Sequence, residues 1–116
     1  ALAGAGAELA FSYQGEALKK RVDPLAAQLG SDCVIECDVS SQESLDGLFS
    51  ALQERWGSLD FVVHAIGFSD KTELRGRYVD TSPSNFAMTM DISVYSLVRA
   101  SRERRTTWMP ATTSLA

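Results

Sequence analysis

Hydrophobic residues along this chain fall into short continuous runs separated by longer stretches with helical periodicity. The runs at 8–13 ("ELAFSY") and 32–39 ("DCVIECDV") have the length and composition of β-strands. Apolar residues repeat at helical spacing over 15–30 and over 40–57, and each stretch ends at a glycine. Pro24 lies inside the first predicted helix, so a kink or a late start is expected there.

The second half of the chain continues the alternation. The run "LDFVVHAIG" at 59–67 is almost wholly apolar, which predicts a third strand buried on both faces. The polar stretch 68–81 is a long loop for a compact domain, and such loops are usually functional. A last helix is expected to begin between 82 and 84, with Pro83 in its first turn. Strands alternating with helices predict an α/β fold, a doubly wound parallel sheet of the Rossmann type.

Composition and charge narrow the functional classes. The chain has 116 residues, 45% of them hydrophobic and 22% charged, as in a single globular domain. No apolar run approaches the roughly 18 residues that span a bilayer, so no membrane partner and a cytoplasmic location are expected. A late basic cluster has no interleaved aromatic motif and predicts a solvated helix face, with no nucleic-acid partner. The cluster comprises Arg99, Arg102, Arg104 and Arg105.

The two cysteines are expected to be reduced core residues. Cys33 and Cys37 are four positions apart on a predicted strand, which places them about 13 Å apart and too far for a disulfide. Neither has a histidine or a third cysteine at metal-ligand spacing, so no metal site is predicted. Ser40 and Ser41, just beyond, are candidate N-caps of the second helix.

Ligands of open parallel sheets bind beyond the carboxyl ends of the strands, and polar residues follow the first two predicted strands. Gln14 stands where many dinucleotide folds read the adenosine ribose, although it could simply be a polar residue leaving a strand. Asp38 could accept a hydrogen bond from the adenine amine while the Val39 N–H meets a ring nitrogen. The alternative is that Asp38 caps the following helix.

The third strand end, "HAIG", contains the only histidine of the chain. Ala65 and Gly67 are small enough for backbone to approach a ligand closely, and Ile66 could pack on a ribose. His64 lies before the strand end, without a serine or acid at the spacing of a nucleophile–base pair. A packed, hydrogen-bonded histidine is therefore favoured over a catalytic one.

Four segments together resemble the bacterial NADH-dependent enoyl-acyl-carrier-protein reductases, a divergent branch of the short-chain dehydrogenase/reductases. They are "AFSYQGEALKKRV", "CDV", "WGSLDFVVHAIGF" and "RGRYVDTSPSNFAMTMDISVYS", and the resemblance covers about residues 1 to 98. It implies hydride transfer from NADH to the β-carbon of a trans-2-enoyl thioester in type II fatty-acid synthesis. It also implies an enoyl-acyl-carrier-protein substrate and a homotetramer; NADPH is not excluded.

The resemblance also implies roles for individual residues. The long loop at 68–81 would border the substrate cleft. By position, Gln14 would contact the adenosine, and Asp38 and Val39 would hold the adenine. Ile66 and Gly67, with Ala65 just before them, would line the nicotinamide ribose. Ser69 would lie beside the acyl substrate through its backbone.

The chain departs from the family pattern at both ends. The family's glycine-rich phosphate loop is expected upstream of residue 1, and its active-site tyrosines and lysine beyond residue 116. We therefore expect 1–116 to be a partial dinucleotide-binding domain with no catalytic residue of its own. Residues 99–116 are atypical, with Thr112 and Thr113 in place of two glycines.

Two other interpretations remain. The chain could derive from another short-chain reductase such as a ketoacyl reductase, although "HAIGF" differs from the asparagine-alanine-glycine triplet usual there. It could also be a non-catalytic remnant or interaction fragment.

We expect residues 1–116 alone to oxidise negligible NADH in the presence of a crotonyl thioester, because the tyrosine–lysine pair is not among them. NADH binding should be weak because the phosphate loop normally supplies most of the pyrophosphate affinity. Absorbance assays and calorimetry measure the two quantities. Measurable turnover, or a micromolar dissociation constant, would contradict the respective expectation.

Overall fold

The structure, a computed structural model, describes residues 1–108 and the side chains of residues 1–103. The predicted departures at Thr112 and Thr113 lie outside the described residues. The chain divides into two compact units, Ala1–Asp38 and Val39–Ala116, which are described separately below.

The first unit is a strand–helix–strand motif. After a 3-10 turn at Ala3–Ala5 come β1 (Ala10–Tyr13), α1 (Glu16–Gln28) and β2 (Cys33–Glu36). The two strands are parallel, with Ala10 opposite Cys33 and Tyr13 opposite Glu36. This confirms the two predicted strands, the helix between them and their parallel pairing.

Local chemistry explains the bounds of α1. It begins after Gly15, whose φ of 74° favours glycine, and it continues through Pro24 without a break. The turn into β2 is tied down by Ser31, whose hydroxyl donates to the Leu9 carbonyl at 2.6 Å. Both cysteines are buried, as the sequence predicts for core residues, and they are not joined in a disulfide.

The second unit begins with a capped amphipathic helix. Helix α2 (Gln42–Trp56) has Ser41 as its N-cap, whose hydroxyl accepts a hydrogen bond from the Ser44 N–H at 3.2 Å. Its buried residues Leu45, Phe49 and Leu52 form the apolar stripe. The helix ends at Gly57, in the left-handed region with φ of 68°.

The last helical stretch has three consecutive parts. Helix α3 (Pro83–Met90) starts at the predicted proline, after the Ser82 cap. A π-helical turn (Asp91–Tyr95) follows, and α4 (Ser96–Trp108) continues from it and packs against α2. A 3-10 turn at Tyr78–Asp80 lies in the preceding loop.

The predicted third strand is wrong for the described structure. Residues 59–67 form no strand, and β1–β2 is the only ladder among residues 1–108. A strand requires a ladder of backbone hydrogen bonds to a neighbouring strand, and residues 59–67 make no such ladder within residues 1–108. The side chains of Phe61, Val62 and Val63 are accordingly 42%, 43% and 67% exposed.

Candidate functional site

The predicted site residues are distributed over both units. Gln14 directly follows β1 and is exposed, and Asp38 follows β2 and is half-buried; both belong to the first unit. The second unit contains Val39, Ser69 and the residues 65–67 between them. Ala65 and Gly67 are exposed, whereas Ile66 is half-buried.

One side of the last helical stretch carries four polar residues that contact the segment 64–70. We call Asn85, Thr89, Ser93 and Ser96 the polar helix face. Asn85 and Ser96 are 6% and 0% exposed, and they are the buried polar side chains among the described residues. Buried polar groups require hydrogen-bond partners, and these find theirs in the segment and in the helix itself.

His64 is held by Ser96. The imidazole Nε2 lies 2.7 Å from the Ser96 hydroxyl oxygen, which also lies 2.6 Å from the Ile92 carbonyl oxygen. A carbonyl can only accept, so the single hydroxyl hydrogen of Ser96 goes to Ile92. His64 Nε2 is therefore the donor to Ser96. This confirms a packed, hydrogen-bonded histidine, although it lies in an irregular segment and not in a strand.

The backbone of Phe68 is held by Ser93. The Phe68 N–H donates to the Ser93 hydroxyl at 3.0 Å, and the same hydroxyl donates to the Phe68 carbonyl at 3.2 Å. One serine thus satisfies both polar groups of a residue that no strand partner serves. These two hydrogen bonds take the place of the backbone hydrogen bonds that a neighbouring strand would make with Phe68.

Ser69 and Asp70 are held by Asn85 and Thr89. The Thr89 hydroxyl donates to the Ser69 oxygen at 3.0 Å, and the Ser69 hydroxyl in turn reaches Asn85 Oδ1 at 3.4 Å. The Asp70 N–H donates to the same Oδ1 at 3.1 Å. The side chain of Ser69 is therefore engaged by two residues of α3.

These bonds fix both ends of residues 65–67 and leave the middle open. His64 is anchored on one side and Phe68 on the other. A Cβ built on Gly67 would meet nothing within 4 Å, so the surface above it is open. Residues 65–67 therefore form a short, open backbone segment held between two anchored residues.

Val39 has an anchor that the sequence does not predict. The Arg99 guanidinium lies 3.4 Å from the Val39 carbonyl oxygen, pairs with Asp91 at 2.8 Å and lies 4.9 Å from the centre of the Tyr95 ring. The expectation of a solvated arginine cluster is wrong for Arg99, whose side chain is only 20% exposed. An arginine is preferred here because its planar fork can serve several partners at once.

The loop 68–81 is closed at its base by a carboxylate. Glu73 accepts from the Ser82 N–H at 2.9 Å and from the Ser82 hydroxyl at 2.8 Å. These two bonds hold the pKa of Glu73 below its usual value. Near the loop start, the Thr72 hydroxyl and N–H donate to Asp70 and lower the pKa of that carboxyl likewise.

The contacts of the polar helix face and of Arg99 were not predicted from the sequence. The face does carry a signal, because its members follow one another at intervals of four, four and three residues within "NFAMTMDISVYS". That spacing marks one side of a helix. What the pattern could not indicate is the partner, since each residue bonds a segment 15 to 32 positions away.

No group of three or more His, Cys, Asp or Glu side chains in the described part of the chain could hold a metal ion. No helix among residues 1–108 has both the length and the apolar character to cross a membrane.

Comparison with known proteins decides the family. The family model for "Enoyl-(Acyl carrier protein) reductase" matches residues 1–115. The chain belongs to the enoyl-(acyl carrier protein) reductase family. It is 65% identical over 96 residues to enoyl-[acyl-carrier-protein] reductase [NADH] 1 of Rhizobium meliloti, covering 83% of this chain and 35% of that protein.

Solved relatives confirm the Rossmann-type α/β fold. The enoyl-acyl-carrier-protein reductase of Anaplasma phagocytophilum, solved with NAD, is 52% identical with a TM-score of 0.85, over 92% of this chain and 41% of that one. The Bacillus cereus enzyme, solved with NADP+, is 36% identical with a TM-score of 0.85, over 92% and 42%. The chain thus spans about two fifths of these relatives.

Replacing Ser96 by alanine should lower the free energy of unfolding by about 1–3 kcal/mol, because the His64 N–H loses its partner. The matched control is Ser101→Ala. Ser101 makes the same type of bond, to the Leu97 carbonyl at 2.7 Å, but is exposed. The control should change stability by less than about 0.5 kcal/mol. Chemical denaturation of both variants measures the difference, and equal losses would show that the His64 contact contributes nothing.

Acidification should open the base of the loop 68–81. Because the pKa of Glu73 is lowered in the folded chain, its bonds to Ser82 contribute stability above the ordinary value of 4.5 and lose it as pH falls through the lowered pKa. An NMR titration should show the Ser82 amide shifting with a midpoint below 4.5. In Glu73→Gln this transition should vanish; its persistence would assign it to another group.

Proposed function

We propose that this chain forms the cofactor-binding part of an NADH-dependent enoyl-acyl-carrier-protein reductase. Such an enzyme transfers hydride from NADH to the β-carbon of a trans-2-enoyl thioester and protonates the resulting enolate. The proposal rests on family membership and on the open backbone at residues 65–67, which is anchored at both ends. That anchored segment is the single structural observation that carries it.

The proposed roles follow from the surroundings of each residue. Ile66 and Gly67, with Ala65, would line the nicotinamide ribose, since the surface above Gly67 is open. Preorganised backbone binds a ligand at lower entropic cost than a mobile loop does. The polar helix face is what would provide this preorganisation.

The substrate side would begin at Ser69. Its hydroxyl is engaged by Thr89 and Asn85, so its backbone would lie beside the acyl thioester. The loop 68–81, closed at its base by Glu73 and Ser82, would form one border of the cleft.

The adenosine would be read by Gln14, Asp38 and Val39. Gln14 can exchange hydrogen bonds with ribose or adenine, and Asp38 can accept from the adenine amine. The Val39 N–H would meet a ring nitrogen, and Arg99 would steady that peptide by bonding the Val39 carbonyl.

When bound, NADH would supply the hydride; the residues of this chain would bind and orient it. Neither tyrosine near the cleft-forming segments suits proton donation to an enolate. Tyr78 is 81% exposed in the loop, and Tyr95 lies beneath the Arg99 guanidinium. We therefore propose that neither Tyr78 nor Tyr95 is the proton donor. A cytoplasmic homotetramer acting on enoyl-acyl-carrier protein completes the proposal.

A second candidate is a non-catalytic interaction fragment. It is favoured by the exposure of Phe61, Val62 and Val63 in a run that has no ladder partner among the described residues. Binding of NADH separates the two candidates, because an interaction fragment has no need to recognise the nucleotide.

We expect Asp38→Asn to weaken NADH binding about tenfold, because a charged acceptor for the adenine amine becomes a neutral one. An NMR titration with millimolar NADH measures the dissociation constant. Asp23→Asn, on the exposed side of α1, removes the same charge and should leave the constant unchanged. Equal affinities in both variants would contradict the role of Asp38, and no binding by the unaltered chain would favour the interaction fragment.

A further inference from the structure

A carboxylate lies at the carboxyl end of β1, although the sequence places only a glutamine there. Glu36 is the last residue of β2 and pairs with Tyr13, the last residue of β1. Its Oε1 accepts a hydrogen bond from the Gly15 N–H at 3.2 Å. The Glu36 side chain therefore reaches across the strand end to the residue that follows Gln14.

Many dinucleotide-binding folds place an acidic residue at this strand end. An acid at the end of the corresponding strand accepts a hydrogen bond from the adenosine ribose 2′-hydroxyl. In this chain the residue at that strand end, Gln14, is neutral. The neighbouring strand brings the missing carboxylate to within one residue of it, through contacts inside the first unit alone.

We propose that Glu36, held against the Gly15 amide at the end of β1, makes this chain select NADH over NADPH. The inference rests on the proposed cofactor function and adds a residue that determines specificity. Oε1 is engaged by Gly15, whereas Oε2 has no hydrogen-bond or ion-pair partner among the described residues. Oε2 can accept from a 2′-hydroxyl, and the same charge repels a 2′-phosphate.

The charges around the strand end support this selection. A site for a 2′-phosphate normally has an arginine close to the end of that strand. Here α1 begins with an acid, Glu16, and its first basic residue is Lys19, three positions later. A 2′-phosphate at this strand end would thus lie close to Glu36, and the helix that follows begins with a second acid, Glu16.

The variant Glu36→Gln separates charge from structure. Glutamine Oε1 can still accept from the Gly15 N–H, so the strand end keeps its hydrogen bond while the negative charge is lost. NMR titrations with NADH and NADPH give two dissociation constants for each protein. We expect the unaltered chain to bind NADH more tightly. In Glu36→Gln the ratio of the constants should fall about tenfold, the size of one charge repulsion near a protein surface.

A charge control and a second pair of nucleotides complete the experiment. Asp23→Asn removes an equal charge from the same unit, away from the strand end, and should leave the ratio unchanged. Titration with 5′-AMP and adenosine 2′,5′-bisphosphate should show the same selectivity, because these probes carry the 2′-position without the nicotinamide.

The outcomes distinguish this inference from the proposed function. NADH binding with a ratio that Glu36→Gln does not change would overturn the role of Glu36 and leave the cofactor function intact. A fall in the ratio for Asp23→Asn as well would overturn the role too, because it would show a general charge effect. Failure of all four nucleotides to bind the unaltered chain would overturn both.

Discussion

The buried hydroxyl of Ser96 is the contact on which the organisation of the second unit depends. It donates to the Ile92 carbonyl and accepts from His64, so a single oxygen joins the helix to the segment that leads into residues 65–67. Ser96 is fully buried, and water cannot replace either partner. A buried hydroxyl in this position restricts the segment because losing a bond leaves a polar group unsatisfied.

The other residues of the polar helix face also hold the segment 64–70 by hydrogen bonds, along one side of the helix. Ser93 serves both backbone groups of Phe68, and Asn85 with Thr89 holds Ser69 and Asp70. The π-helical turn Asp91–Tyr95 lies within this face and changes the helical register there. Such turns are frequent at functional sites, and here the turn accompanies the segment proposed to line the nicotinamide ribose.

Arg99 lies in the segment predicted to be atypical, and it contacts Val39, one of the proposed cofactor-binding residues. Its guanidinium pairs with Asp91 and reaches the Val39 carbonyl. Charge patterning predicted a solvated face because a sequence shows which residues are charged but not what lies opposite them. The long arginine side chain finds a carboxylate eight residues back along the helical stretch.

The sequence by itself determined the elements whose cause is local: β1, α1 and β2, the Ser41 and Ser82 caps, and the helix start at Pro83. Periodicity, caps and glycine ends act within a few residues, and the family motifs are likewise contiguous. Only the tertiary structure decided that 59–67 forms no strand and that His64 bonds Ser96. It also decided that Glu36 reaches Gly15. These outcomes depend on partners 21 to 32 residues away, which hydrophobic patterning does not specify.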